Sequence, residues 1–184
     1  MLRYLPNALT TLRLLLALPL GVLILREQYS SAVAMGLAAG LTDALDGFAA
    51  RKLHAQSQLG AMLDPIADKT LVTATFLCLA QVGVIPWPVA MCIVGRDLVI
   101  VAGAACYRLF VGPFKFGARP LSKLNMVLQI GFCVLLLAAQ ITPVISPAVL
   151  LAGTWTVIVI TLVSGVDYIQ AWSRSALREL GARR

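Results

Sequence analysis

The chain has 184 residues, 60% of them hydrophobic and 12% charged, with a mean hydropathy of +0.89. An ordinary soluble domain carries roughly a quarter of its residues as Asp, Glu, Lys or Arg, so this composition excludes a large soluble catalytic domain. At ~20 apolar residues per membrane span, a chain of this length holds about six spans and little else, and any chemistry must sit among the helices or at their ends. The net charge of +7 collects at the boundaries of apolar runs, which marks topology rather than nucleic-acid binding.

The first apolar run, about residues 8–25, follows Arg3 without a small-residue cleavage site after it and is read as a retained helix rather than a signal peptide. Further runs cover roughly 30–50, 60–83, 87–110, 121–141 and 147–172. Between them lie Arg26 to Gln28, Arg51 to Gln58, Pro86 with Pro88, Gly112 to Pro120, and Pro143 with Pro147. The expectation is an all-α polytopic membrane protein, a single domain over 1–184 with six transmembrane helices. With the N-terminus in the cytoplasm, that side collects eleven Lys and Arg residues and the other side only Arg26. This asymmetry places both termini and the loops after the second and fourth helices in the cytoplasm. The tail from Ser173 to Arg184, with four arginines, is expected to be an interfacial segment facing anionic lipid. Cys78, Cys92, Cys106 and Cys133 stand singly in apolar runs without C-x-x-C spacing and read as packing residues.

Six of the eight acids, Asp43, Asp46, Asp64, Asp68, Asp97 and Asp167, fall inside or at the edges of apolar runs, where an uncompensated carboxylate costs ~2.5–3.5 kcal/mol on insertion scales. Four of them form the pattern Asp43-x-x-Asp46-Gly47-x-x-Ala50-Arg51, eight residues, then Gly60-x-x-x-Asp64-x-x-x-Asp68. Spacings of i, i+3 and i, i+4 put each pair on one helix face. The short connection makes the two helices antiparallel neighbours, so all four carboxylates can converge at the cytoplasmic ends of helices two and three.

Four carboxylates in one small volume cannot all stay ionised without cations. A set of oxygen ligands without His or Cys suits Mg²⁺, Mn²⁺ or Ca²⁺, and two divalent ions would cancel the four charges. Gly47, Ala50 and Gly60 leave one flank open, and Arg51 adds a forked cation suited to phosphate. Metals, arginine and small residues together describe a diphosphate site. Helix-end acids and small packing residues such as Gly36-x-x-x-Gly40 would account for one such Asp but not for the whole pattern.

The run from Asp43 to Asp68 resembles, without a departure, the D-x2-D-G-x2-A-R-x8-G-x3-D-x3-D signature of the CDP-alcohol phosphotransferases. These are six-helix membrane enzymes, usually homodimers, that move a phosphatidyl group from a CDP-linked lipid to an alcohol and release CMP. The resemblance implies that Asp43, Asp46, Asp64 and Asp68 hold Mg²⁺ or Mn²⁺, two ions in all, and that Asp68 is also the general base for the incoming hydroxyl. It implies a CDP pocket lined by Asp43, Asp46, Gly47, Ala50, Arg51, Ser57 and Gly60. The expected partners are CDP-diacylglycerol, an anionic alcohol or lipid acceptor, the bilayer, taken to be a bacterial inner membrane, and a second copy of the chain; nucleic acid is not among them. Leu5-Pro6-Asn7-Ala8-Leu9-Thr10-x-x-Arg13 is similar to the start of the phosphatidylglycerophosphate synthase and cardiolipin synthase branches. That adds Asn7 and Thr10 to the CDP pocket, although both could instead cap a helix. Arg13, a turn or two further in, is expected to face the phosphate site rather than snorkel to the interface.

Arg96-Asp97 reads as an internal ion pair or as two groups facing the polar cavity. Arg119, Ser122, Lys123, Asn125 and Gln129 put cationic and amide donors at the cytoplasmic start of the fifth helix, where an anionic acceptor would need them. Plain loop charge explains Lys115 well and Arg119 about equally well, but not the two amides. Arg13, Arg96, Arg119, Lys123 and Asn125 are therefore the candidate acceptor ligands.

Leu41-Thr42-Asp43, Asp46-Gly47-Phe48, Leu63 to Lys69, Arg96-Asp97 and Ser122-Lys123-Leu124-Asn125 look most like the CMP-forming cardiolipin synthases, which take phosphatidylglycerol as acceptor. The branch using glycerol 3-phosphate more often has Arg-Glu at 96–97 and Gly-Lys-x-Lys near 122–125, while Met126 departs from the Thr of both branches. The expected product is cardiolipin, with glycerol 3-phosphate as the rival acceptor. A divalent-cation transporter would need polar groups along a path to the far side, and the non-cytoplasmic halves of these helices have hardly any ionisable residues.

Overall fold

A computed structural model describes the backbone of residues 5–40, 58–110, 112 and 119–182, with side chains described at 15–40, 69–110, 112, 119–177 and 179. All the regular structure among these residues is helical. It comprises α1 (Leu5–Leu25), α2 (29–40), α3 (Gln58–Gln81), α4 (Trp87–Phe110), α5 (Pro120–Ile141) and α6 (Pro147–Ala182). Three of these, Trp87–Phe110, Pro120–Ile141 and the Pro147–Leu177 part of α6, are long and apolar enough to cross a membrane. At 1.5 Å per residue, α1 with 21 residues and α3 with 24 also reach about the ~30 Å of a hydrocarbon core.

The chain divides into two compact units, Met1–Trp87 with Cys133–Ser146, and Pro88–Phe132 with Pro147–Arg184. In the first, α1 packs along α3. Ala17, Leu20 and Ile24 supply the buried stripe of α1, and Val72, Phe76, Leu79 and Ala80 that of α3, at the three- and four-residue steps of a helix face. The approach is close: a Cβ at Gly21 would lie 3.3 Å from Cys78 Sγ. Two matching turns end these helices. After α1, Gln28 donates to the Leu23 carbonyl at 2.9 Å with Glu27 at φ 57°; after α3, Val84 donates to the Leu79 carbonyl at 2.9 Å with Gly83 at φ 77°. Both are Schellman caps, and only the second has the glycine that the left-handed residue favours.

The second unit shows polarity inverted relative to a soluble bundle. On α6 the buried stripe is Val157, Thr161 and Ser164, whereas Leu151, Trp155, Val159, Leu162 and Val166 face outward. On α5, Asn125, Gln129 and Phe132 are buried and Leu124, Val127 and Ile130 exposed. Polar inside and apolar outside is the arrangement a lipid solvent demands. α5 and α6 run antiparallel along a seam with polar contacts at one end and, at the other, the Phe132 ring over Gly153, where a Cβ would come within 2.6 Å of the ring. A second ring seats in the same manner: Trp172 of α6 covers Gly103 of α4 so closely that a Cβ there would overlap it.

α6 extends past the apolar run at 147–172. Its 36 residues continue without a break through Ala182, so residues 173–182 of the basic tail prolong the helix that starts at Pro147. No proline intervenes, and Ala171, Ala176, Leu177, Arg178 and Glu179 are all compatible with helix. At 1.5 Å per residue the rod is about 54 Å long and exceeds the hydrocarbon core by roughly 24 Å.

Replacing a helical glycine with alanine normally stabilises by about 0.5–1 kcal/mol. At Gly103 the sign is expected to reverse: Gly103→Ala should lower the midpoint of thermal unfolding in detergent, and Trp172→Ala in the same chain should offset much of the loss. Gly131→Ala, at an exposed position with nothing within 4 Å, should leave the midpoint unchanged or raise it. Equal shifts at the two glycines would contradict this packing.

Candidate active site

The side chains with most chemical character in the second unit are arranged as a polar ladder between α5 and α6. Three rungs lie about one helical turn apart. The innermost holds Thr161, whose hydroxyl donates to Asn125 Oδ1 at 2.9 Å and accepts from Gln129 Nε2 at 3.2 Å. All three residues are buried, and each bond answers a group that would be costly to leave unpaired in an apolar setting.

Arg96 makes the middle rung. It reaches from α4, donating through Nη1 to Asp97 Oδ1 at 2.8 Å, and through Nη2 to Ser122 Oγ of α5 at 3.0 Å and to Ser164 Oγ of α6. The side chain is 5% exposed. Its guanidinium carbon lies 5.7 Å from the centroid of the Tyr168 ring, within cation–π range. Gly165 makes room for it, since a Cβ there would come to 3.4 Å from Arg96 Cγ. Arg96 Nε is buried with no hydrogen-bond partner among the described residues. One arginine thus joins three helices, and both sequence readings of it apply in part: it is paired with Asp97, and it faces a polar interior.

The outer rung is Arg119 with Asp167. Arg119, just before α5, donates through Nε to Asp167 Oδ2 and through Nη2 to Asp167 Oδ1 at 2.7 Å, a parallel two-bond pair. Unlike the buried rungs it is accessible, with side chains 38% and 22% exposed. Lys123, one turn into α5, is exposed. Of the candidate acceptor ligands, the structure therefore brings Arg96, Arg119 and Asn125 onto one seam but engages each with a protein partner, and it leaves Lys123 open. Ser164, Thr161, Asp167 and Tyr168 were not singled out by sequence as partners of these groups. Their signal was present as polar residues stepping by three and four along an apolar helix.

Two of the four signature carboxylates, Asp64 and Asp68, lie in the other unit. Asp64 and Asp68 fall one turn apart within the uninterrupted α3, on one face of it, with Gly60 one turn before them. Asp43, Asp46, Gly47, Ala50, Arg51 and Ser57 lie outside the described residues. A register of i, i+4 on a continuous helix and a donor set of carboxylate oxygens fit Mg²⁺ or Mn²⁺, which take hard oxygen ligands. Asn7, Thr10 and Arg13 belong to the first turns of α1, which begins at Leu5. Asn7 is therefore inside the helix and not at its N-cap.

The model of the CDP-alcohol phosphatidyltransferase family matches residues 3–166. A probable phosphatidylglycerophosphate synthase of Mycobacterium tuberculosis is 34% identical over 98% of this chain and 85% of its own length. A cardiolipin synthase (CMP-forming) / mitochondrial hydrolase fusion protein of Schizosaccharomyces pombe is 34% identical over 96% of this chain, and the rat cardiolipin synthase (CMP-forming) 43% identical over 53%. The matches to these last two span about a third of their length, 32% in each case. The aspartate signature thus stands inside a match that extends from the first turn of α1 into α6, and the chain belongs to the CDP-alcohol phosphatidyltransferase family.

Proposed function

We propose that this protein transfers a phosphatidyl group from CDP-diacylglycerol to the free hydroxyl of phosphatidylglycerol, forming cardiolipin and CMP. The observation that carries the reading is the unbroken run Asp43-x-x-Asp46-Gly47-x-x-Ala50-Arg51 to Gly60-x-x-x-Asp64-x-x-x-Asp68 inside the family match. Two of its acids share one face of α3. Relatives named as cardiolipin synthases support the lipid acceptor. Glycerol 3-phosphate is the second reading, favoured by the Mycobacterium relative, which matches over most of its own length.

In this reading Asp43, Asp46, Asp64 and Asp68 hold two Mg²⁺ or Mn²⁺ ions. Bound there, the metals would offset the charge of the diphosphate and of the departing CMP. Arg51 neutralises a phosphate edge, and Gly47, Ala50 and Gly60 leave room for the nucleotide, with Ser57, Asn7 and Thr10 as further polar contacts. Asp68 takes the proton of the acceptor hydroxyl as its oxygen bonds to the lipid-linked phosphorus, and the phosphorus–oxygen bond to CMP breaks. Arg13, Arg119 and Lys123 are the cations that draw the anionic acceptor, and Arg96 and Asn125 complete the proposed acceptor ligands. The protein works as a homodimer of six-span chains in the bacterial inner membrane, with both termini and the site on the cytoplasmic side, as the Lys and Arg asymmetry directs.

Purified full chain given CDP-diacylglycerol and Mn²⁺ should release CMP when phosphatidylglycerol is added and form cardiolipin. CMP release only with glycerol 3-phosphate would move the assignment to the second reading, and release with neither would remove the transferase reading. Asp68→Asn should lower kcat by roughly 100-fold or more, the scale of a lost general base; turnover near that of the unmodified chain would exclude Asp68 from the role. Chelation by EDTA should abolish turnover and added Mg²⁺ or Mn²⁺ restore it, with Asp64→Asn needing a higher metal concentration for half-maximal rate. Metal dependence unaltered by Asp64→Asn would count against the carboxylate site.

A further inference from the structure

Asp167 is an acid placed against Arg119, the cation read above as lying on the acceptor side. It holds both of its oxygens on one edge of Arg119, taking the Nε hydrogen and one Nη2 hydrogen. A guanidinium has five N–H donors in a fixed fork, so the Nη1 pair and the outer Nη2 hydrogen remain for a ligand. The pair lies at the accessible end of the ladder, whereas the Asn125 and Arg96 rungs are buried. An anion arriving at the outer edge of Arg119 meets a cation whose charge is already offset by the carboxylate behind it.

A phosphodiester brings one negative charge to that edge, and a phosphomonoester about −1.5 to −2 at neutral pH. The additional charge gains little from an offset guanidinium and is repelled by Asp167 across a short, partly desolvated distance. Resting on the reading of Arg119 as an acceptor-side cation, we infer that Asp167 is a specificity-determining residue. Its hold on one edge of Arg119 makes the site favour a singly charged phosphodiester acceptor over a doubly charged phosphomonoester. The residue lies outside the aspartate signature and touches no reacting atom in this account; it acts through Arg119.

The test compares full-length protein and Asp167→Asn in mixed micelles with CDP-diacylglycerol and Mn²⁺, reading kcat/KM from CMP release with phosphatidylglycerol and, separately, glycerol 3-phosphate. Asp167→Asn keeps the shape, removes the charge and frees the guanidinium. The expected result is a rise of about tenfold in the ratio of glycerol 3-phosphate to phosphatidylglycerol use, the scale of one screened charge contact. Asp167→Glu should keep the ratio of the unmodified chain. A folded Asp167→Asn with an unchanged ratio overturns the inference, as does an unmodified chain that prefers glycerol 3-phosphate, and both outcomes leave the transferase reading standing. Where Asp167→Asn does not fold, Asp167→Ser answers the same question, since it also removes the carboxylate charge from beside Arg119. A ratio shifted in the same direction supports the inference and an unshifted one overturns it. CMP release with neither acceptor removes the transferase reading itself.

Discussion

A guanidinium buried among apolar helices has to be answered by protein groups, because the lipid around it offers none. Arg96 meets that requirement by drawing a hydroxyl from each of two other helices, a carboxylate from its own and an aromatic face from Tyr168. Each partner constrains its helix in rotation and in height. Ser122 fixes which face of α5 turns inward, Ser164 does the same for α6, and Gly165 must stay small for the arginine stem to pass. The exposed apolar rows of α5 and α6 then follow, since the opposite faces are left to meet lipid.

The seam between α5 and α6 uses two means of attachment. At one end hydrogen-bonding side chains match donors to acceptors; at the other Phe132 lies over Gly153, as Trp172 lies over Gly103 on α4. Without a hydrophobic driving force between helices in lipid, close van der Waals contact and internal polar bonds are the means available. The first is tolerant of which apolar residues surround it, while the second is intolerant of any added methyl group. The polar end is also where Arg119 and Lys123 emerge, so the groups proposed to meet the acceptor stand on the most constrained part of the helix pair.

Much of the architecture was legible because apolar runs and their proline, glycine and charged breaks bound each helix. The run at 87–110 coincides with α4, and that at 121–141 differs from α5 by one residue. The end of α6 was less legible, because a positively charged, helix-compatible tail reads equally as a surface segment or as a continued rod. The pair Asp64 and Asp68 was visible as a helical register, and α3 carries that register unbroken. Arg96, Asn125 and Gln129 show where pattern reading reaches its limit. An uncommon polar residue in an apolar helix must be satisfied, but composition does not say whether a ligand or a neighbouring helix satisfies it. Here Ser122, Ser164 and Thr161 do so, small hydroxyls that hydropathy barely registers.

The ladder also bears on how such a chain enters a bilayer. Taken alone, α5 brings Ser122, Asn125 and Gln129 into lipid and α6 brings Thr161, Ser164 and Asp167, and neither helix holds the complement of its own polar groups. The turn between them, from Thr142 to Ser146, is five residues long, short enough for the two helices to leave the insertion machinery side by side. Paired as a hairpin they close two of the three rungs unaided, and the third awaits only the arginine of α4, which is synthesised before either.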